Sequence, residues 1–313
     1  MRKSILFSLA FIAIALYSYG QEQTYEPPVA PPEYRRPAGY DPAQHRFPHS
    51  IQELHEKYSD GMMEKAEKEY NRVLEVNGNG KWKPSPRSLD RHTAPEWFLD
   101  AKFGMFIDWG PWSIAGWAPA GGHRANYPDW YEFDMDVRDQ YIAYHEKNWG
   151  KDFYRDDLLP LFNAAKYQPD RLTDIAVEAG MKYVIPFCKH HAGFCLWPSS
   201  YTFRDMGDLH GKDAIRPLVD NCNSRGLKFG FYFSTEELEY PVIRHEGGLE
   251  MKKWSANKLK DKDGFFPYTP DMEHLASGKV AVKDFMRDYI IPQAVEFIDS
   301  YDPDILWYDG EWT

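Results

Sequence analysis

Three times along this chain a helical stretch gives way to a short, unbroken apolar run. Residues 170–179 stop at Gly180 and lead to KYVIPFC (182–188), and residues 213–225 stop at Gly226 and lead to KFGFYF (228–233). Residues 282–301 lead to ILWY (305–308), and an earlier run, FGMFI (103–107), precedes all three. Glycine past the last helical turn is a C-cap signal. Runs that do not alternate with polar residues are what parallel strands covered on both faces require. The rhythm predicts an α/β fold with a parallel sheet, either a barrel or an open doubly wound sheet. No GxGxxG follows any of the strands, which counts against a dinucleotide-binding fold.

The four strands share a second property. Each ends on polar or ionisable residues: Asp108-Trp109-Gly110, Lys189-His190-His191, Ser234-Thr235-Glu236-Glu237 and Asp309-Gly310-Glu311-Trp312. The C-terminal rim of a parallel barrel is where catalysis takes place. Carboxylates beside Trp and His suit glycoside hydrolysis, in which two carboxyl groups flank the anomeric carbon and aromatic rings hold the sugar. The rival is a metal hydrolase built on His190, His191 and Asp309. Neighbouring histidines on one strand point to opposite faces, and neither HExxH nor HxH spacing is present, so no metal and no cofactor is expected.

Composition narrows the field further. With 48 acidic against 37 basic residues the formal charge is −11, which argues against nucleic acid as a partner. The chain carries 21 Tyr, 19 Phe and 11 Trp, a load that serves sugar stacking and core packing alike. Its three cysteines, Cys188, Cys195 and Cys222, are odd in number and show no CxxC spacing, so buried thiols are expected rather than a disulfide framework.

The N-terminal third has a different character. Residues 1–20 read as a cleaved signal peptide: Arg2 and Lys3, an apolar stretch at 5–16 too short to span a membrane, and small residues at Ser18 and Gly20. A secreted or periplasmic location is therefore expected. Residues 21–90 form a Pro-rich arm (EPPVAPPEYRRPAGYDP at 26–42) and one helix. Ser50 to Glu53 is a capping box, and the helix is predicted over 51–76, stopping at Asn77-Gly78-Asn79-Gly80. A short helix near 95–101 precedes the first strand. Residues 91–313 make up the barrel region.

Five ordered blocks in that region resemble the α-L-fucosidases of glycoside hydrolase family 29. WFLDAKFGMFIDWGPWS (97–113) is similar to the family's FGxFxHWG block, and PDWYEFDM (128–135) to its EWY block. AGMKYVIPFCKHHAGFCLWPSSYT (179–202) resembles the KHHDGF block and RGLKFGFYFS (225–234) the GLKFGxYYS block. IIPQAVEFIDSYDPDILWYDGEW (290–312) resembles the segment that carries the nucleophile.

The resemblance implies a (β/α)8 TIM-like barrel of which about the first four βα units are present, with a C-terminal half and a β-sandwich further along. It implies a retaining exo-glycosidase acting on terminal α-L-fucosides of glycans or polysaccharides, with Asp309 as nucleophile. Substrate contacts would come from Asp108, Trp109, Asp129, Trp130, His190, His191, Tyr232 and Trp307. The family's acid/base Glu lies downstream of its nucleophile, so it is expected outside these 313 residues, and Glu236, Glu237 and Glu311 are not assigned the role. Four strands would leave an open sheet edge, so this length is expected neither to fold stably alone nor to turn over substrate.

Three positions depart from the family pattern: Asp108 for His, Asp129 for Glu and Ala192 for Asp. The smaller, anionic Asp108 leaves room for an extra hydroxyl, which makes an α-L-galactoside the alternative substrate. A sulfated sugar would have to aim its charge at Lys189 or at the insertion with His123 and Arg124. A non-catalytic carbohydrate-binding relative is the remaining alternative.

Overall fold

The computed structural model describes residues 25–45, 61–122, 125–135, 138–237, 244–245, 248–249 and 284–310. The signal-peptide expectation, the start of the first helix, His123, Arg124 and Glu311 lie outside them. Strands β1 (Met105–Ile107), β2 (Tyr183–Lys189), β3 (Lys228–Ser234) and β4 (Ile305–Asp309) form one parallel sheet in chain order. An open doubly wound sheet reverses its strand order at a switch point. This order runs on without reversal, as in a barrel wall, and the fold is α/β with four strands of a TIM-like barrel.

Helices α2 (Pro169–Glu178), α3 (Arg216–Ser224) and α4 (Ile291–Tyr301) precede β2, β3 and β4. After α2, Gly180 sits at φ +78°, its N–H bonded to Val177 and that of Met181 to Ala176. After α3, Gly226 at φ +68° repeats the arrangement with Asn223 and Cys222. Both are Schellman caps. After α4 the left-handed residue is Asp302, so the third unit turns without glycine. The first helix, α1 (Met63–Asn79), runs through Asn77 and Gly78, and Gly80 closes it by bonding to Val76 at 2.6 Å. It therefore ends three residues later than predicted. It packs along α4, tied by Arg72 Nη2 to Asp299 Oδ1 at 2.8 Å.

The sheet has two apolar faces. Outward, Val184, Cys188, Phe229, Phe231 and Phe233 pack against Ala176, Leu218, Cys222 and Phe297 of the helices. Inward, Ile185, Phe187 and Tyr232 pack beneath Trp112, Tyr131 and Trp149 from the long loops. All three cysteines are buried free thiols. The unbroken runs suggested that every strand is covered on both sides. Among the described residues both faces are covered for β2 and β3. β1 and β4 stand at the two ends of the described sheet, the open edge expected of four strands, and there Phe106 is 44% and Trp307 50% exposed.

The Pro-rich arm is docked against the helix Asp139–Asn148. Asn148 accepts from the Ala30 N–H at 2.7 Å and donates to the Pro28 carbonyl at 3.1 Å.

Candidate active site at the rim of the sheet

The site begins with a fault in strand pairing. Phe187 pairs with Tyr232, but Lys189 pairs with Phe233, so two residues of β2 oppose one of β3. Such a bulge breaks the alternation of side chains. Phe187 stays on the inner face. Lys189 turns outward into the core, where its Nζ lies 4.1 Å from the Phe233 ring centroid and bonds Glu237 at 2.8 Å and Gln293 at 2.9 Å. Lys189 is therefore no receiver for a sulfate, and Glu237 is committed to it.

Past the end of β2, His190 and His191 turn to the same side, with ring centroids 4.3 Å apart. The opposite-face rule applied to a strand that has already stopped. Both residues are buried. His190 stacks on Phe187 and leans on Trp112, 5.4 Å and 5.0 Å between centroids. Trp112 can fold back over the strand ends because residue 110 is glycine: a Cβ there would stand 2.2 Å from the Trp112 ring. His190 Nε2 lies 3.6 Å from Asp129 Oδ2, and Trp130 lies 5.1 Å from His191, centroid to centroid. The Asp129–Trp130 turn thus faces the histidines across a cleft.

Asp309 closes β4. The Tyr232 hydroxyl donates to its Oδ2 at 2.6 Å, the Gly310 N–H donates to its Oδ1 at 2.8 Å, and His191 Nε2 stands 3.6 Å from Oδ2. Gly310 has φ +125°, and a Cβ there would meet Thr235 Oγ1 at 2.7 Å. Only glycine lets the chain leave the strand while its N–H points back at the carboxylate. Thr235 also holds the Asp309 carbonyl, by its N–H at 2.8 Å and its hydroxyl at 3.0 Å. Burial, and then the hydrogen bond to Asp309, raise the Tyr232 hydroxyl well above the ordinary tyrosine range, so it remains a donor. His191 Nδ1 is paired with Ser234 Oγ at 2.5 Å.

Asp108 leaves β1 as an exposed residue, yet desolvation of its carboxyl, and next the charge of Asp129, push it up to about 7. Below Asp309, Trp307 lies 5.1 Å from Phe106, and Phe106 packs edge-on against Phe187 and Tyr232. These rings make an aromatic floor.

Of the eight residues expected to contact substrate, Asp129, Trp130, His190, His191 and Tyr232 meet around Asp309 or across the cleft, Asp108 stands within the electrostatic reach of Asp129, and Trp307 joins the floor. Trp109 does not join them. It turns outward and stacks on Tyr167 at 4.5 Å and against Phe162 at 4.8 Å. Alternation along β1, with Phe106 inward, already placed Trp109 on the far side. Residues not anticipated in the site are Ser234, Trp112 and Phe187. The period-two pattern could have found Phe187, whereas the partnership of Ser234 with His191 depends on the bulge. Among the described residues no cluster of three or more His, Cys, Asp or Glu could hold a metal ion.

An unreversed parallel sheet with carboxylates, imidazoles and aromatic rings gathered at its C-terminal rim defines the TIM-barrel class of enzyme fold. The chain belongs to the α-L-fucosidase family, whose family model matches residues 71–313. It is 29% identical to human tissue α-L-fucosidase over 236 residues, which cover 74% of this chain and 42% of that protein. It is 29% identical to an α-L-fucosidase of Branchiostoma floridae over 237 residues, 74% of this chain and 44% of the relative. The crystal structure of Thermotoga maritima α-fucosidase superposes with a TM-score of 0.57 at 32% identity, over 73% of this chain and 49% of that one. A Thermotoga α-L-fucosynthase in complex with an α-L-Fuc-(1-2)-β-L-Fuc azide superposes with a TM-score of 0.58 at 31% identity, over 74% of this chain and 50% of that one. The chain spans less than half the length of the curated relatives it matches.

Proposed function

We propose that the protein is a retaining exo-glycosidase that removes terminal α-L-fucose from glycans, with Asp309 as its nucleophile. The observation that carries this reading is the Asp309 carboxylate, oriented at the rim by the Tyr232 hydroxyl and the Gly310 N–H beside His191. In the first displacement an Asp309 oxygen bonds to the anomeric carbon while the bond from that carbon to the aglycone oxygen breaks. The aglycone leaves with a proton from a general acid, a role to which no described residue is assigned. Water then attacks the anomeric carbon of the glycosyl-enzyme, giving its proton back to the conjugate base of that acid, and the bond to Asp309 breaks to free the sugar and the carboxylate. The donors on Asp309 orient it before substrate arrives. Burial, and next the charge of Asp129, raise the Asp108 carboxyl to about 7, so it is only partly ionised near neutral pH. His190, His191 and Asp129 select ring hydroxyls, and Trp307 with Phe106 offers a surface to the apolar ring face.

The relatives' names favour fucose over galactose as the sugar removed. Residues 1–20 support export as part of the same proposal. The test is trapping with a mechanism-based fluorinated fucosyl fluoride, followed by peptide mapping of the full-length protein. A label on Asp309, absent in Asp309→Asn, is the expected result. A label on another carboxylate, or fucose binding without any turnover, overturns the assignment.

A further inference from the structure

Arg204 lies in the loop after β2 and is among the largest fully buried side chains. Its Nε donates to the Ala192 carbonyl at 3.0 Å, its Nη1 bonds Asp156, and its Nη2 lies 3.6 Å from Glu132 Oε1. Two of these partners sit at the roots of the site. Ala192 directly follows His190 and His191. Glu132 belongs to the short helix Tyr131–Asp134, which directly follows Asp129 and Trp130. The small cavity between the two walls is lined by Asp129, Trp130, Glu132, Phe133, His190, His191 and Ala192, so Glu132 reaches both the cavity and Arg204.

One guanidinium thus hydrogen-bonds the root of the histidine wall and lies within ion-pair range of the root of the Asp129–Trp130 wall. A buried guanidinium persists only where acids and acceptors surround it. Its planar fork also fixes the directions of its partners, which the single ammonium of lysine does not. The resemblance to the family would place an aspartate at 192. Here that residue is alanine, the turn offers its carbonyl, and the opposing charge comes from Glu132 and Asp156.

We propose that Arg204 is a positioning residue: it sets the spacing between the His190–His191 wall and the Asp129–Trp130 wall, and through it the affinity of the pocket for the sugar ring. The inference rests on the cleft being the sugar site but not on Asp309 being the nucleophile. The experiment is calorimetric titration of the full-length protein with L-fucose, paired with kinetics on an aryl α-L-fucoside normalised to competent sites counted with the fluorosugar. Arg204→Lys is expected to raise both the Kd for fucose and KM by about tenfold or more, with kcat per competent site within about threefold of wild type. Glu132→Gln keeps the contacts to Ala192 and Asp156 and is expected to raise Kd about threefold. It carries the test if Arg204→Lys does not fold. A purely structural role lowers Tm and the number of competent sites while leaving Kd per site unchanged, and that result overturns the proposal. A wild-type protein that binds no fucose overturns the reading of the cleft itself, before any variant is made.

Discussion

The two central strands and the two flanking strands contribute different halves of the site. β2 and β3 are buried on both faces, and they deliver His190, His191 and Tyr232 at their ends. β1 and β4 each have one paired neighbour and exposed inner rings, and they deliver Asp108 and Asp309. The two imidazoles and the Tyr232 hydroxyl thus stand on strands that are paired on both sides. Asp309, on β4, is tied to β3 through Tyr232 and Thr235.

The largest consequence of that contrast is in stability. Phe231 is fully buried and stacks on Phe297 at 4.0 Å, whereas Leu306, its pairing partner on β4, is 45% exposed. In denaturant unfolding of the full-length protein, Phe231→Ala is expected to cost about 3–5 kcal/mol. A cost below about 1 kcal/mol would show that this ring does not anchor the centre of the sheet. The link between the two regions is tested by Tyr232→Phe, which deletes one oxygen and leaves the ring stacked on Phe187. Loss of a hydrogen bond to a charged group predicts a fall in kcat of about 10- to 100-fold with Tm almost unchanged. If kcat holds, Asp309 does not depend on β3 for its order.

The smallest effect concerns Asp108. Its folded-state pKa, about 7, lies above the ordinary carboxyl value of the unfolded chain. Between the two values the folded protein holds a proton that the unfolded chain has released, so this group makes stability fall as pH rises from about 4 to about 7, with no further change above. Asp108→Asn removes that slope. Its Tm is expected to gain on wild type across this window, modestly because the residue is exposed and screened by solvent. Parallel Tm curves for the two proteins would show that Asp108 titrates as an ordinary surface carboxylate.

The parts legible in the sequence were those set by local chemistry. Gly180 and Gly226 announced two helix ends because a left-handed residue past the last turn favours glycine. Apolar runs located β2, β3 and β4, and the polar residues after them located the rim. Asp302 was illegible in the same terms, since an aspartate in the left-handed region leaves no compositional trace. Within the site, Asp309, Tyr232 and the two histidines came from motifs. Trp109 was misplaced because a motif gives neighbours in sequence, while the pleat decides which of two neighbours faces the cleft. Arg204 had no local signal at all: its partners lie 12, 48 and 72 residues away and meet only in the folded loops.

The bulge in β2 has a consequence for the kind of charge the pocket welcomes. In a regular strand Lys189 would share the inner face with Phe187 and place a cation among the reacting groups. The extra residue sends it into the core, where Glu237 neutralises it. Among the described residues the rim carries Asp129 and Asp309 beside two imidazoles, with Asp108 raised to about 7. One inserted residue, by reversing the direction of a single lysine, keeps a cation away from this cluster of acids and imidazoles.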